Sequence, residues 1–236
     1  MKIWKMSIFT IIITISIIFG YLNLCNQEKY DWRKMAKNEI TLPEPRRKSN
    51  VSLEEAIAKR RSIRDFKDEA IGIEEVSQLL WSAQGITDNV NKFRTAPSAG
   101  ALYPLEVYIV IRRVKDLDPG VYKYLPHQHK LVFIKEGDIS TKLVREALWQ
   151  DWIAKSSIII VISAIFERTT VKYGKRGIQY VYMEAGHSAQ NVCLQAVTLG
   201  FGTTTVGAFN DEGIKQLLNM KEEEIPIYIL PIGIPK

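Results

Sequence analysis

Pro97-Ser98-Ala99-Gly100-Ala101-Leu102-Tyr103-Pro104 runs directly into Leu105-Glu106-Val107-Tyr108-Ile109-Val110-Ile111-Arg112. Small residues between two prolines make a stiff loop whose backbone N–H groups can come close to a flat ligand, an approach that larger side chains would block. Alone, the stretch would read better as an ordinary turn. The β-branched and aromatic residues after it predict a strand over 105–112.

Helices are expected upstream. Ser52-Leu53-Glu54-Glu55 is a capping box, and Leu53, Ala56 and Ile57 have the spacing of one helix face, which predicts a helix to about Arg60. Ile73, Val76, Leu80 and Ala83 predict a second over 73–84, stopped by Gly85. Downstream, 120–125 and 130–135 read as strands joined in a hairpin across Pro126 to His129. Asp138 is placed to cap a helix through about Trp149. The almost wholly apolar run 156–166 has the pattern of a strand buried on both faces. A long helix over 178–199 should end at Gly200, followed by a short strand at 203–206, a helix over 211–220 and a strand over 225–232. In that last strand Pro231 suggests an edge or an end. Trp81, Trp149 and Trp152 read as core. The sum is one α+β domain over residues 51–236.

Before it, Met6 to Gln27 is an uncharged run of 22 residues preceded by Lys2 and Lys5. Such a run is long enough to cross a bilayer. Residues 1–27 read as a signal peptide or a transmembrane anchor, with retention favoured because no Ala-x-Ala follows and bulky Leu24 precedes Cys25. The expected location is membrane-anchored or exported, the extracytoplasmic side favoured, although Lys29, Arg33, Lys34 and Lys37 just beyond the run argue the other way. Residues 28–50, with Pro43, Pro45 and Arg46-Arg47-Lys48, read as a basic linker. Without residues 1–27 the net charge falls from +6 to +4, and acids are spread along the domain, so a nucleic-acid partner is not expected. Two cysteines, Cys25 and Cys193, exclude a disulfide scaffold and any four-cysteine metal site.

Three stretches could carry chemistry. Arg60-Arg61-Ser62-Ile63-Arg64 puts three guanidiniums and a hydroxyl where the chain leaves a helix, a grip for a dianionic phosphate; a solvated helix end reads as well on that cluster alone. The loop at Pro97 is the second. The third, Gly200 to Phe209, follows a helix rather than a strand, so it is no dinucleotide fingerprint, and no Walker Gly-Lys-Ser/Thr occurs. Glu184, His187 and Asn191 share a helix face and read as polar interface or supporting groups, with no metal expected.

Taken together, Arg60 to Phe66, Leu80 to Thr87, Pro97 to Tyr108, Glu184 to Asn191, Leu199 to Gly202 and Val206 to Phe209 resemble the nitroreductase family, and within it the SagB-type dehydrogenases that include azoline (thiazole- and oxazole-forming) oxidases. The resemblance runs in order and spacing over residues 52–236. It implies an FMN-binding fold with a central, mostly antiparallel sheet flanked by helices, here preceded by one hydrophobic helix. It also implies a homodimer with flavin at the subunit interface. By resemblance Arg60, Arg61, Ser62 and Arg64 bind the FMN phosphate and ribityl chain, and Pro97, Ser98 and Ala99 pack on the partner's flavin. Thr205, Val206, Gly207 and Ala208 line the ring, and Lys236 falls near a basic phosphate ligand. Lys172-Tyr173, in what reads as a basic loop, resembles the pair that removes a proton as hydride leaves; a solvated Lys and a packing Tyr are the plain alternative. The substrate implied is a small molecule or a peptide azoline. Reduction of a nitro compound or quinone by NAD(P)H, or flavin binding without turnover, is the alternative.

Overall fold

The computed structural model describes residues 39–236. The expectations for residues 1–27, and for the linker as far as residue 38, lie outside the described residues; among those described, no helix is long and apolar enough to cross a membrane.

The elements are β1 (Glu39–Thr41), α1 (Leu53–Lys59), α2 (Ile73–Gln84), β2 (Leu105–Ile111), β3 (Gly120–Leu125), β4 (Lys130–Glu136), α3 (Ser140–Glu146), β5 (Ile158–Ile165), α4 (Glu167–Tyr173), α5 (Arg176–Thr198), β6 (Gly202–Thr203), α6 (Asp211–Leu217) and β7 (Glu224–Gly233), with 3-10 turns at Ala99–Ala101 and Asp151–Lys155. The strands form one sheet in the order β1-β4-β3-β2-β5-β7-β6, and every pairing between them is antiparallel. The expected α+β class with a central antiparallel sheet is therefore observed.

Alternation along the central strands divides the core in two. Leu105, Val107, Ile109 and Ile111 of β2 share one face with Ile158, Ile160 and Ile162 of β5. There they meet Val76, Leu79, Leu80 and Ala83 of α2 and Val181, Ala185, Ala189 and Val192 of α5. Tyr108 and Val110, with Ile159 and Val161, face the other way, against Leu143 and Val144 of α3 and Ile214 of α6. Every residue of β5 is buried, as its unbroken apolar run predicts.

The sequence reading needs five corrections. The linker expected to reach residue 50 is structured from Glu39: β1 pairs with β4, Leu42 is buried, and the Ser77 hydroxyl donates to the Pro43 carbonyl at 2.5 Å. In α1, capped by Ser52 as expected, only Ala56 is buried, while Leu53 and Ile57 are 61% and 56% exposed. The helix expected through Trp149 stops at Glu146, because Leu148 and Trp149 turn out through left-handed backbone (φ 56° and 62°); this leaves Trp149 71% exposed rather than in the core. Lys172-Tyr173 lies not in a loop but at the end of α4. That helix packs closely on α5, since a Cβ on Gly177 would lie 3.0 Å from the Thr170 Cα. Finally, β7 is not an edge strand. Pro231 is tolerated because its ring nitrogen points, by alternation with Ile229, towards the 203–206 segment between that segment's pairing points at Ile232 and Ile229.

The new boundary is testable in the whole chain. Leu42→Ala should cost about 2–3 kcal/mol, the penalty for emptying a buried leucine site. A urea unfolding curve indistinguishable from that of the unchanged chain would instead mark residues 39–50 as linker.

Candidate functional site

The candidate residues gather in two groups. The first forms where α1 ends. Past Arg60 the chain runs beside β6: Ser62 bridges Thr203 in parallel, and the Ile63 N–H donates to the Thr203 carbonyl at 3.0 Å. Gly202 permits this approach, because a Cβ there would lie 2.6 Å from the Ile63 side chain. The C-terminus closes on the same segment. Lys236 Nζ lies 3.1 Å from Asp65 Oδ1, and its N–H donates to the Asp65 carbonyl.

This segment fits a phosphate, though not with all the residues expected. Arg61 turns back on its own helix and donates to the carbonyls of Ala58 and Arg60 at 3.0 and 2.8 Å. Arg64 lies over the Trp152 ring, 5.4 Å from its centroid, and Arg60 sits half-buried near Cys193. Among the described residues neither Arg60 nor Arg64 pairs with a carboxylate. Beside Ser62, the buried Thr203 Oγ1 has no partner. Two uncommitted guanidiniums, the Ser62 hydroxyl and an orphaned hydroxyl are the donor set that a dianion such as the FMN phosphate requires. Of the stretch expected along the ring, Thr205, Gly207 and Ala208 are exposed. Val206 is buried, and its N–H is committed to the Ile229 carbonyl at 2.8 Å, so it is no donor to a ligand.

The second group surrounds the Pro97 loop. The Tyr103 N–H donates to Ser98 Oγ at 2.9 Å and closes the loop, and Gly100, Ala101 and Tyr103 all take positive φ (64°, 54° and 46°). For Ala101 and Tyr103 that backbone is costly, so the surroundings must hold it. Two arginines do. Arg94 stacks 4.6 Å from the Tyr103 ring centroid and donates to Gln84 Oε1 at 2.8 Å, and Arg168 donates to the Tyr103 carbonyl at 3.2 Å. The loop is also where Lys172 and Tyr173 arrive. A Cβ built on Gly100 would lie 2.8 Å from the Tyr173 hydroxyl and 2.9 Å from Lys172 Nζ, so the pair rests on the glycine.

On the loop's other flank, a cavity of about 240 Å³ is lined by Pro97, Ser98, Ala99, Tyr180, Met183, Glu184 and His187. Glu184 is buried and its Oε1 has no partner. Burial raises its carboxyl from 4.5 to about 7, against the opposing pull of the Ser98 hydroxyl and the Arg94 charge. The sequence reading took Glu184 as a supporting polar group, and it missed Arg94, Glu106 and Arg168 altogether. The available signal was Glu106, an acid inside an otherwise apolar strand.

Within one chain the two groups sit apart. Arg60 acts on Cys193 and Ser98 on Glu184, nine residues away on α5, or about 13 Å along the helix axis. The larger cavities, about 530 and 460 Å³, lie between residues 46–56, α2 and the C-terminal half of α5, and none of the expected site residues lines them. Among the described residues no three His, Cys, Asp or Glu side chains could share a metal ion.

Known proteins share this fold. MJ1384 of Methanocaldococcus jannaschii, whose name as a nitroreductase is itself inferred, is 44% identical over 83% of this chain and 96% of its own. The microcin B17-processing protein McbC of Escherichia coli is 26% identical over 66% of this chain, which spans 59% of McbC. A crystal structure from Ralstonia eutropha, assigned to nitroreductases in the same inferred way, superposes with a TM-score of 0.75 at 28% identity, covering 84% of this chain and 90% of the other. Residues 57–234 match the Nitroreductase family, and the chain belongs to that family.

Proposed function

We propose that this protein is an FMN-dependent dehydrogenase of the SagB type that oxidises azoline rings carried on a peptide, working as a homodimer. The observation that carries the reading is the seat of Lys172 Nζ and the Tyr173 hydroxyl on Gly100, inside the loop that the family resemblance assigns to the flavin. A flavin reductase needs no side-chain base at that place, whereas removal of a carbon-bound hydrogen as a proton does. Similarity to a protein named for microcin B17 processing supports a peptide-borne substrate.

FMN, when bound, supplies a hydride acceptor at N5. Arg60, Arg64 and Ser62 would hold its phosphate, with Thr203 Oγ1 behind them. The Pro97 loop presents a close wall of small residues, and its strained backbone, fixed by Arg94 and Arg168, keeps that wall in place. The azoline gives up two electrons with one hydrogen as hydride, and a second hydrogen leaves as a proton to the Lys172–Tyr173 pair. Lys172 is exposed in the single chain. A peptide or second subunit lying over Gly100 would strip water from it and from the reacting carbon. The separation of the two groups fits a dimer in which each flavin takes the Arg60 group of one subunit and the Pro97 loop of the other. Exposed Leu53 and Ile57 on α1 are apolar surface for that contact.

Two outcomes test the reading, and a third tests the pH dependence of the fold. The purified protein should be yellow and release FMN on denaturation; Arg60→Ala and Arg64→Ala should each weaken FMN binding about tenfold or more, and Arg61→Ala much less. A colourless protein that does not take up added FMN would sink the proposal. Lys172→Ala should keep its flavin while slowing oxidation of a thiazoline-containing peptide by about a hundredfold; rapid bleaching by NADH or NADPH with no thiazoline turnover would favour the reductase alternative. The last concerns Glu184, which when folded holds its proton to about pH 7 but when unfolded releases it near 4.5. The fold therefore loses stability as pH rises between those values. Glu184→Gln should raise stability by about 3 kcal/mol at pH 8 and leave it unchanged at pH 4, as read from urea midpoints at the two pH values.

A further inference from the structure

α4 is seven residues long, too short to hold a position by its own hydrogen bonds, so contacts with the rest of the fold decide where its last residues point. Thr169 anchors one side by burial against α5. The other anchor is Arg168. One arm of its guanidinium donates to the Tyr103 carbonyl at 3.2 Å, and the other lies 2.6 Å from Glu106 Oε1. A rigid planar fork that reaches two segments fixes direction as well as distance, which a single ammonium cannot do. Lys172 is four residues on, one helical turn along the same face.

Glu106 is no loose surface acid. Its other oxygen lies 3.0 Å from Lys123 Nζ, and Lys123 reaches Glu224 Oε1 at 2.9 Å. The remaining oxygen of Glu224, whose side chain is fully buried, accepts from the Tyr108 hydroxyl at 2.9 Å and from Ser163 Oγ at 3.1 Å. Two carboxylates and two cations thus run in alternation from β7 through β3 and β2 to α4, with β5 hydrogen-bonded at the inner end. Burial would raise the Glu106 carboxyl, but the charges and hydrogen bonds of Lys123 and Arg168 outweigh it and hold the group below its ordinary value. The acid at the end of the chain is therefore an ionised, fixed point.

We propose that Arg168, pulled against Glu106, is the positioning residue that sets Lys172 and Tyr173 on Gly100. The catalytic meaning of that placement rests on the proton-acceptor reading of the pair; the placement itself does not. An ion pair with an arginine 39% exposed contributes little to global stability, so its loss should move α4 without unfolding the sheet.

The test uses the whole chain with its lysines reductively dimethylated with ¹³C and followed by NMR, the Lys172 signal being identified by its loss in Lys172→Arg. Lys172 Nζ lies 5.4 Å from the Tyr173 ring centroid, so ring current should displace this signal from those of solvated lysines. In Arg168→Met the displacement should vanish while the urea midpoint stays within error; Arg168→Lys should keep part of it. Glu106→Gln, close in shape and still leaving the Tyr103 bond, should give a partial loss and serves if Arg168→Met fails to fold. In FMN-loaded protein, Arg168→Met should lower kcat per bound flavin for thiazoline oxidation about tenfold or more, with KM unchanged and with partial rescue by Arg168→Lys. An undisplaced signal in the unchanged chain, or one that persists in Arg168→Met and Glu106→Gln, overturns the proposal. A protein that binds no FMN or oxidises no thiazoline overturns the functional reading, while the NMR signal still decides the positioning.

Discussion

The eight residues of β5 expose no side chain on either face, and that one fact organises the molecule. A strand in that position must be paired on both sides and covered above and below, since its backbone groups and its isoleucines would otherwise meet water. β2 and β7 supply the pairing along almost its whole length. The covering needs two helical layers, and the chain provides α2 with α5 on one face and α3 with α6 on the other. Both candidate groups are consequences of that arrangement. The Pro97 loop enters β2, whose register with β5 begins at Leu105 and Ala164, so the loop is delivered to the end of β5 from which α4 departs. β6 lies along β7 at the opposite end of the ladder, where Ile232 pairs with Ile158, and it and the residues that follow β7 receive the segment after α1.

The end of the sheet nearest the loop is also where the fold tolerates charge in its interior. Glu224 at the start of β7 is fully buried, and a lone ionised carboxylate there would be prohibitively costly. It is acceptable because Lys123, Tyr108 and Ser163 satisfy its oxygens, and Lys123 is itself shared with Glu106. Such networks rarely add much net stability over a well-packed apolar substitute, because desolvation offsets most of the attraction. What this one does add is direction. Each member has its partners on other elements of the fold, so the side chains at that end have one arrangement that satisfies them all. The outward-facing member is Arg168, beside the loop, where placement within about 1 Å matters most for chemistry.

How much of this was legible in the sequence follows from how local each cause is. α2 was read to the residue, because its apolar spacing and Gly85 stop are both written within a dozen positions. The boundaries of β2 and β3, and the burial of β5, were legible for the same reason. β1 was not. Three residues carry no period, and Glu39–Thr41 is a strand only because β4, some 90 residues on, offers it an edge. α4 was missed because Thr169, Thr170 and Val171 are poor helix formers, overruled here by packing on Gly177. Of the candidate site, the segment from Arg60 to Arg64 and the Pro97 loop were visible as motifs. The residues that hold the loop were not: Arg94, Glu106 and Arg168 act by contacts between distant segments, which no spacing rule reports.

The exposed positions carry the remaining information. In α1 the apolar face predicted from the capping box exists, yet Leu53 and Ile57 face outward while only Ala56 touches the core. Scattered exposed leucines need no explanation, but these two sit on the helix that delivers Arg60, beside a large cavity that Leu53 and Ala56 help to line. On α5, Tyr182 and Met183 are likewise half-exposed, next to the Glu184 that closes the Pro97 cavity. Apolar surface therefore accompanies each group separately. A ligand that needs both a phosphate grip and a small-residue wall meets them nine residues of α5 apart in one chain. In the dimer proposed above, a second copy would cover the outward apolar faces and bring the loop of one subunit to the arginines of the other. On that proposal, the separation of the two groups and the exposure of the helix faces beside them have a single cause.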